Sequence, residues 1–249
     1  MIENYAFYPI AAAAILIFGI SKSGFGSGLG VLAVPMMALI IPPVQAAGIL
    51  LPLLCIMDLF TLWHYRKTWD KRNLTILLPS GIFGVFVGAQ FFRYLSEAQV
   101  RILVGVIAIA FGMIFFLKKG VGRKGKATVP RGVFWGSVAG FTSFGVHAGG
   151  PPVNIYLLPQ EMEKGLFVGT TAVFFTIVNY TKLIPYAYLG QLNPDNLLTS
   201  LLLSPLAPLG VLLGIKLHTR INGRLFYNLC YIFLLITGAK LFFDGLSSY

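Results

Sequence analysis

Six apolar runs, each long enough to cross a lipid bilayer as a helix, constrain this chain more than any other feature. A transmembrane helix needs about 20 mainly apolar residues. The runs cover residues 45–63, 73–92, 100–117, 165–189, 195–215 and 225–243. Across the chain 57% of the residues are hydrophobic and 11% are charged, whereas a soluble domain is about 25% charged. The sequence therefore predicts an all-α integral protein that crosses the cell (cytoplasmic) membrane several times.

Two further apolar stretches, residues 7–41 and 132–160, are each interrupted by a glycine-rich motif. The motifs occupy residues 21–28 and 142–152 and read SKSGFGSG and TSFGVHAGGPP. Irregular backbone at membrane depth is tolerated only where it is buried in protein or lines a cavity, because lipid offers it no hydrogen-bond partner. In transporters, interrupted segments at corresponding places in two halves mark the binding site. We predict two broken or re-entrant helical hairpins whose tips form a transport site.

The charges between the apolar runs predict the orientation of the chain. Loop 118–131 is rich in lysine and arginine, and such loops face the cytoplasm. Counting crossings from this loop places residues 66–72, which are also basic, in the cytoplasm and both termini outside. The net charge of +11 therefore reflects membrane orientation, and we expect no nucleic-acid partner.

The same count gives the two halves of the chain opposite orientations. The predicted units are residues 1–117, with hairpin 7–41 and three spans, the basic linker 118–131, and residues 132–249, with hairpin 132–160 and three spans. Asp58 aligns with Asn179 in the corresponding spans, and a Gly-x-x-x-Gly pair at 84–88 aligns with another at 210–214. Such glycine pairs favour close helix contact. The sequence predicts an inverted repeat, each half being a broken hairpin followed by three transmembrane helices.

The two motifs resemble those of the sulfite exporter TauE/SafE family. Residues 22–28 followed by Pro35, together with residues 140–143 and 147–152, carry the resemblance, which covers nearly the whole chain. His147 stands where members of the family more often have a small residue. The resemblance implies a membrane transporter for small sulfur-containing anions such as sulfite, sulfoacetate and related sulfonates.

The motifs also have the chemistry of an anion site. A helix that restarts after a break exposes N–H groups with a partial charge of about +0.5, and such an end binds anions readily. Pro151 and Pro152 suit a helix start because proline has no N–H to leave unpaired there, and Leu29 or Gly30 is the corresponding start in the first half. The alternative is that the glycines serve only tight turns and helix contact.

Ionisable residues inside apolar spans cost about 2.5–3.5 kcal/mol each to insert and are candidates for function. Lys22 either binds the anion or forms an ion pair, and Lys182 either lines the path or extends to the membrane surface. Asp58 either neutralises one of these lysines or carries a coupling proton. His147 either binds the anion or a proton, or hydrogen-bonds as a neutral side chain at the hairpin tip. Lys240 and Asp244 are four residues apart, as in a helix surface pair.

The candidate substrate-binding residues are Lys22, Ser23, Gly24, Phe25, Gly26, Ser27, Gly28, Ser143, Phe144, Gly145, His147, Gly149, Gly150, Pro151, Asn154, Asn179 and Lys182. Asp58 and His147 are the candidates for coupling or ion pairing. Phe25 and Phe144 either close the cavity as gates or serve packing. Aromatic residues near span boundaries, Tyr186 and Tyr188 among them, predict membrane-interface anchors.

The predicted function is secondary transport, with export of the anion by alternating access. An ATP-binding motif Gly-x-x-x-x-Gly-Lys-Ser/Thr does not occur. The alternatives are an anion channel, an importer of another small anion such as thiosulfate and, from a different class, an intramembrane enzyme. The wide spacing of the three histidines in the chain argues against an enzyme. We expect the small anion and the lipid bilayer as partners, and no metal or cofactor. A homodimer is a possible assembly.

Overall fold

The computed structural model describes residues 2–25, 30–117, 128–217 and 223–248. Its helices are α1 Phe7–Phe25, α2 Ala33–Met37, α3 Pro43–Tyr65, α4 Lys71–Phe92, α5 Glu97–Leu117, α6 Val129–Val146, α7 Gly150–Leu157, α8 Lys164–Tyr188, α9 Pro194–Leu203, α10 Leu206–Leu217 and α11 Gly223–Ser247, with 3₁₀ turns at Gly30–Leu32 and Leu158–Gln160. No β-strand occurs within these ranges. The prediction of an all-α protein is confirmed.

Helices α1, α3, α4, α5, α8 and α11 are long and apolar enough to cross a membrane, and α9 with α10 forms a seventh, bent candidate. Large apolar side chains such as Leu59, Phe83 and Leu201 are exposed on the outer faces. In a soluble protein a surface of this kind would promote aggregation, whereas in a bilayer it faces lipid. The protein is a multi-pass membrane protein.

The span predicted over residues 195–215 is broken in the structure, where the sequence suggested one continuous helix. The chain bends by 43° between α9 and α10, at Ser204 and Pro205. Proline has no N–H to donate to the preceding turn, and its ring clashes with the carbonyl four residues earlier. Ser204 and Ala207 instead donate their N–H groups to carbonyls three residues back. The apolar composition of the run concealed this break.

Each glycine-rich motif lies where a long helix gives way to a short one. In the second half, α6 ends at Val146 and α7 begins at Gly150 with prolines in its first turn, as predicted for Pro151 and Pro152. In the first half, α1 is followed by the 3₁₀ turn at Gly30–Leu32 and then by α2. Residues 26–29, which include Gly26, Ser27, Gly28 and Leu29, lie outside the described ranges.

The helices pack in pairs that have the same pattern in both halves. Helix α1 packs against α10, α6 packs against α4, α3 packs against α8, and α5 packs against α11. If α1, α3, α4 and α5 of the first half are matched with α6, α8, α10 and α11 of the second, the pair α1–α10 corresponds to the pair α6–α4. The pairs α3–α8 and α5–α11 then each correspond to themselves. Glycines lie at the closest approaches, including Gly19 against Gly210 and Gly105 against Gly238, and permit backbone contact that any side chain would obstruct.

Gly19→Ala tests the contact between α1 and α10. A Cβ atom at Gly19 would lie 2.8 Å from the carbonyl carbon of Gly210 and 2.9 Å from its Cα atom, and a backbone cannot move aside as a flexible side chain can. Overpacking of this kind costs about 1–3 kcal/mol, so we expect a lower midpoint of thermal unfolding in detergent.

The matched control for this variant is Gly165→Ala. A Cβ atom there would meet only the Glu163 side chain, at 3.8 Å, and alanine favours a helix by up to about 1 kcal/mol over glycine. The control should therefore unfold at or above the wild-type temperature. Equal unfolding temperatures for the two alanine variants would contradict the close contact between α1 and α10.

Candidate functional site

A buried ion pair joins the first hairpin to α3. The Nζ atom of Lys22, near the end of α1, lies 2.7 Å from Oδ1 of Asp58, and both side chains are at most 1% exposed. The second carboxylate oxygen of Asp58 accepts a hydrogen bond of 2.7 Å from the amide nitrogen of Asn179 on α8. The two aligned residues, Asp58 and Asn179, therefore meet at the centre of the protein.

A second buried cluster joins the other hairpin to α8. The Nζ atom of Lys182 donates to the main-chain oxygen and to Oγ of Ser143, at 3.0 and 3.1 Å. The same atom lies 2.7 Å from Nδ1 of His147. Lys182 is fully buried, which excludes the alternative that its side chain extends to the membrane surface.

The imidazole of His147 has a partner on each ring nitrogen. Its Nε2 atom lies 3.0 Å from the main-chain oxygen of Ala47, which can only accept a hydrogen bond, so Nε2 carries the proton. Nδ1 is then free to accept from the Lys182 ammonium group, which donates only. The hydrogen bonds therefore assign a neutral imidazole, in agreement with the alternative of a hydrogen-bonding side chain at the hairpin tip.

The end of α6 explains how His147 reaches these partners. His147 has a φ of 53°, in the left-handed region, and its N–H and that of Ala148 donate back to Ser143 and Thr142. This is a helix ending in which glycine is the usual residue at the left-handed position. A non-glycine residue there costs about 1–2 kcal/mol, and the hydrogen bonds to Lys182 and Ala47 offset that cost.

A small central cavity lies between the two clusters. It measures about 10 Å³, which is about the space that one water molecule requires. Its walls are Phe18, Lys22, Leu54, Ser143, His147, Gly150, Phe175 and Asn179. Residues of α1, α6 and α7 and of the aligned spans α3 and α8 thus contribute to one small cavity with both apolar and polar walls.

A larger cavity of about 210 Å³ lies on the other side of the last turn of α6. It is lined by Val44, Ala47, Phe92, Arg93, Leu95, Phe144, Gly145, Leu189 and Gln191. Ser143 and His147 line the central cavity, whereas Phe144 and Gly145 line the larger one. One turn of helix therefore separates the two spaces.

Each hairpin tip is bound to its neighbouring span by a tyrosine. The Tyr65 hydroxyl on α3 donates to the main-chain oxygen of Ser23 at 3.0 Å, and the Tyr186 hydroxyl on α8 donates to that of Phe144 at 2.5 Å. Both bonds join residues 42 positions apart. The two tyrosines are 121 positions apart in the chain, and so are Ser23 and Phe144.

Comparison with known proteins identifies the family. The family model described as "Sulfite exporter TauE/SafE" matches residues 11–241, which include every residue that lines the central cavity. The chain belongs to the TauE/SafE family. It is therefore a membrane transporter of the sulfite-exporter class. No curated protein and no solved structure matched the chain.

The structure of this TauE/SafE protein places the predicted site residues in four groups. Those that line the central cavity or bind its walls directly are Lys22, Asp58, Ser143, His147, Gly150, Asn179 and Lys182. Phe144 and Gly145 line the larger cavity. Gly26, Ser27, Gly28 and the side chain of Phe25 lie outside the described part of the chain.

The remaining predicted residues line neither cavity. The Ser23 hydroxyl donates to the main-chain oxygens of Gly19 and Val211, at 2.9 and 2.8 Å. Gly24 and Gly149 lie so close to other backbone that a side chain would clash. Pro151 begins α7. Asn154 lies further along α7 and lines neither of the two cavities.

Several residues around the central cavity were not predicted from the sequence. Phe18, Leu54 and Phe175 line the central cavity, but an apolar side chain in an apolar span gives no signal. Tyr186 was predicted as an interface anchor, and this was wrong because its side chain is 1% exposed. The available signal was that Tyr65 follows Asp58 at the same interval at which Tyr186 follows Asn179.

The side chains around the central cavity have the chemistry of a binding site. Among the described residues, no group of three or more His, Cys, Asp or Glu side chains could hold a metal ion. The polar groups that face the central cavity are an ammonium group, a hydroxyl, an amide and an imidazole. They can attract a small anion and donate hydrogen bonds to its oxygens.

Proposed function

We propose that this protein exports a small sulfur-containing anion, sulfite or an organosulfonate such as sulfoacetate, across the cytoplasmic membrane. The observation that carries the proposal is the central cavity, where Lys22 and Asn179 meet Ser143 and His147. Both glycine-rich motifs and both aligned spans contribute to it. A buried ammonium group with nearby donors suits an oxyanion, because hydrogen bonds to charged groups are about twice as strong as neutral ones.

The proposed mechanism is alternating access by two inverted halves. The paired helix contacts and the two tyrosine bonds support an inverted repeat, because each half uses the same positions. With loop 118–131 in the cytoplasm, the Tyr65 to Ser23 bond lies on the cytoplasmic side of the cavity and the Tyr186 to Phe144 bond on the outer side. Breaking one bond at a time would open the cavity to one side at a time.

The exit for the anion in this proposal is the larger cavity. Its lining residues Arg93, Leu189 and Gln191 lie in segments that the charge pattern places outside. Phe144 stands between the two cavities and packs against Tyr186 and Phe92, with ring centroids 5.1 and 6.0 Å apart. Displacement of the last turn of α6 would join the two spaces, with Phe144 as the gate.

Transport of sulfite in proteoliposomes tests the proposal. Vesicles that hold the purified protein should take up sulfite with saturable kinetics and, under an imposed ion gradient or membrane potential, accumulate it above the external concentration. Empty vesicles provide the control. If the sulfite inside the vesicles never exceeds its electrochemical equilibrium under any gradient, the protein is a channel. If the sulfite is chemically changed, the protein is an enzyme. Failure to move sulfite and sulfonates would overturn the proposed substrate.

A further inference from the structure

The buried charges at the centre of the protein do not balance. All eight acidic residues of the sequence lie in the described ranges, so every acidic side chain can be checked for burial. They are Glu3, Asp58, Asp70, Glu97, Glu161, Glu163, Asp195 and Asp244. Asp58 is the one that is buried. Two lysines, Lys22 and Lys182, are buried with it. One carboxylate thus faces two ammonium groups.

Asp58 is already committed to Lys22. The two groups are 2.7 Å apart, and the other carboxylate oxygen accepts from the neutral amide of Asn179. The three acceptors around Lys182 are the Ser143 main-chain oxygen, the Ser143 hydroxyl and the His147 imidazole. They match the three donors of an ammonium group, but none of them carries a negative charge.

The alignment of the two halves shows the origin of this imbalance. The residue of α8 that corresponds to Asp58 is Asn179, an amide of the same shape without the charge. The second half therefore places a buried lysine behind the cavity wall, bound to the lining residues Ser143 and His147, without an acid to neutralise it. A lone charge in a low-dielectric interior is costly unless a partner compensates it.

We propose that the transported anion supplies this missing charge, so that the site selects singly charged oxyanions over doubly charged ones. One negative charge beside Lys182 makes the cluster neutral, whereas two would leave an excess negative charge in a closed cavity. Hydrogen sulfite and a simple alkanesulfonate carry one charge, whereas sulfite without its proton carries two, as does sulfoacetate, which has a carboxylate beside its sulfonate. Among the candidate substrates the proposed site therefore favours hydrogen sulfite and singly charged sulfonates over sulfoacetate. This charge selectivity rests on the proposed function, since it takes the central cavity as the anion site.

Methanesulfonate and sulfate are the matched pair of ligands that test it. Both are tetrahedral and nearly equal in size, and they differ by a methyl group in place of a charged oxygen. Affinities measured with the purified protein at one pH, by ligand-dependent thermal shift or calorimetry, should favour methanesulfonate by about tenfold or more, the ratio that a modest electrostatic penalty already produces. Sulfite serves as the reference ligand.

Two variants of the ion pair separate charge from shape. Asp58→Asn adds one positive charge to the cluster, and the preference should shift towards sulfate. Lys22→Met combined with Asp58→Asn restores the wild-type net charge, and the preference for methanesulfonate should return even where overall affinity falls. Asp244→Asn is the control, because that acid lies on α11 in a surface pair with Lys240. Its ratio of methanesulfonate affinity to sulfate affinity should equal that of the wild type.

The outcomes distinguish the two proposals. Binding of sulfite together with equal or tighter binding of sulfate than of methanesulfonate by the wild type would overturn the charge selectivity and leave anion transport standing. Absence of binding of every sulfur anion would overturn the proposed function itself. If size-exclusion chromatography shows that Asp58→Asn does not fold, the charge selectivity is tested by the methanesulfonate-to-sulfate affinity ratios of the wild type and of the charge-restored double variant.

Discussion

Asp58→Leu is expected to destabilise the protein by about 3–5 kcal/mol, the usual effect of removing one partner from a buried ion pair. Leucine fills much of the same volume, so the loss would come from charge. The Lys22 ammonium group would lose its carboxylate partner and keep the faces of Phe18 and Phe175, whose ring centroids are each 5.9 Å from Nζ. Unfolding in detergent, followed by heat or denaturant, measures the difference.

Lys22→Met combined with Asp58→Leu should recover most of that stability. Replacing a whole buried pair by apolar residues of similar size is often neutral or stabilising, whereas breaking the pair leaves an isolated charge. The surface pair of Lys240 and Asp244, 2.6 Å apart on α11, is the control. There Asp244→Leu should change the unfolding free energy by less than about 1 kcal/mol. Equal losses for the two aspartate variants would contradict a buried pair at Asp58.

The apolar runs and the glycine-rich motifs made much of this fold predictable. Long apolar segments require helices in a bilayer, because every backbone group must then be paired within the segment. A motif such as residues 142–152 cannot continue a helix, since Pro151 and Pro152 follow two glycines. The prediction therefore placed the break between α6 and α7 correctly. The alignment of Asp58 with Asn179 also indicated which side chains were candidates to meet.

Partners in space were harder to predict than positions in the chain. The sequence allowed Asp58 to pair with either lysine, and only the packing of α1 against α3 selects Lys22. From the sequence, Lys182 could equally have extended its side chain to the membrane surface, because it lies towards the end of α8. Its burial depends on the tip of the second hairpin, where Ser143 and His147 present three acceptors to it. Contacts of this kind arise from tertiary structure, which periodicity does not encode.

The glycine-rich motifs position the site more than they bind its ligand directly. Gly24 and Gly149 bring backbones together, and Gly150 lines the central cavity. The groups able to bind an anion come from side chains next to the glycines, above all Lys22, Ser143 and His147. The left-handed conformation of His147 then directs its imidazole at Lys182, so that hairpin geometry and the charge behind the cavity wall are coupled.

Lys182→Met is expected to reduce sulfite binding and transport by about 100-fold, since losing one buried charged partner costs about 2–5 kcal/mol. Methionine keeps the length of the side chain and removes the charge that a bound anion would neutralise. The measurements are sulfite uptake by proteoliposomes and the stabilisation that sulfite gives to the purified protein. Lys240→Met, which removes an exposed lysine from the surface of α11, should behave as the wild type.

A loss of folding could also abolish transport, and the ligand effect separates the two causes. Lys182→Met leaves the Ser143 oxygens and Nδ1 of His147 without their donor, so some loss of stability is expected in the absence of ligand. A folded variant that elutes as the wild type does, yet gains no stability from sulfite, would place Lys182 in the anion site. Unchanged sulfite affinity in that variant would remove Lys182 from the site and leave the Lys22 side of the cavity as the place where the anion binds.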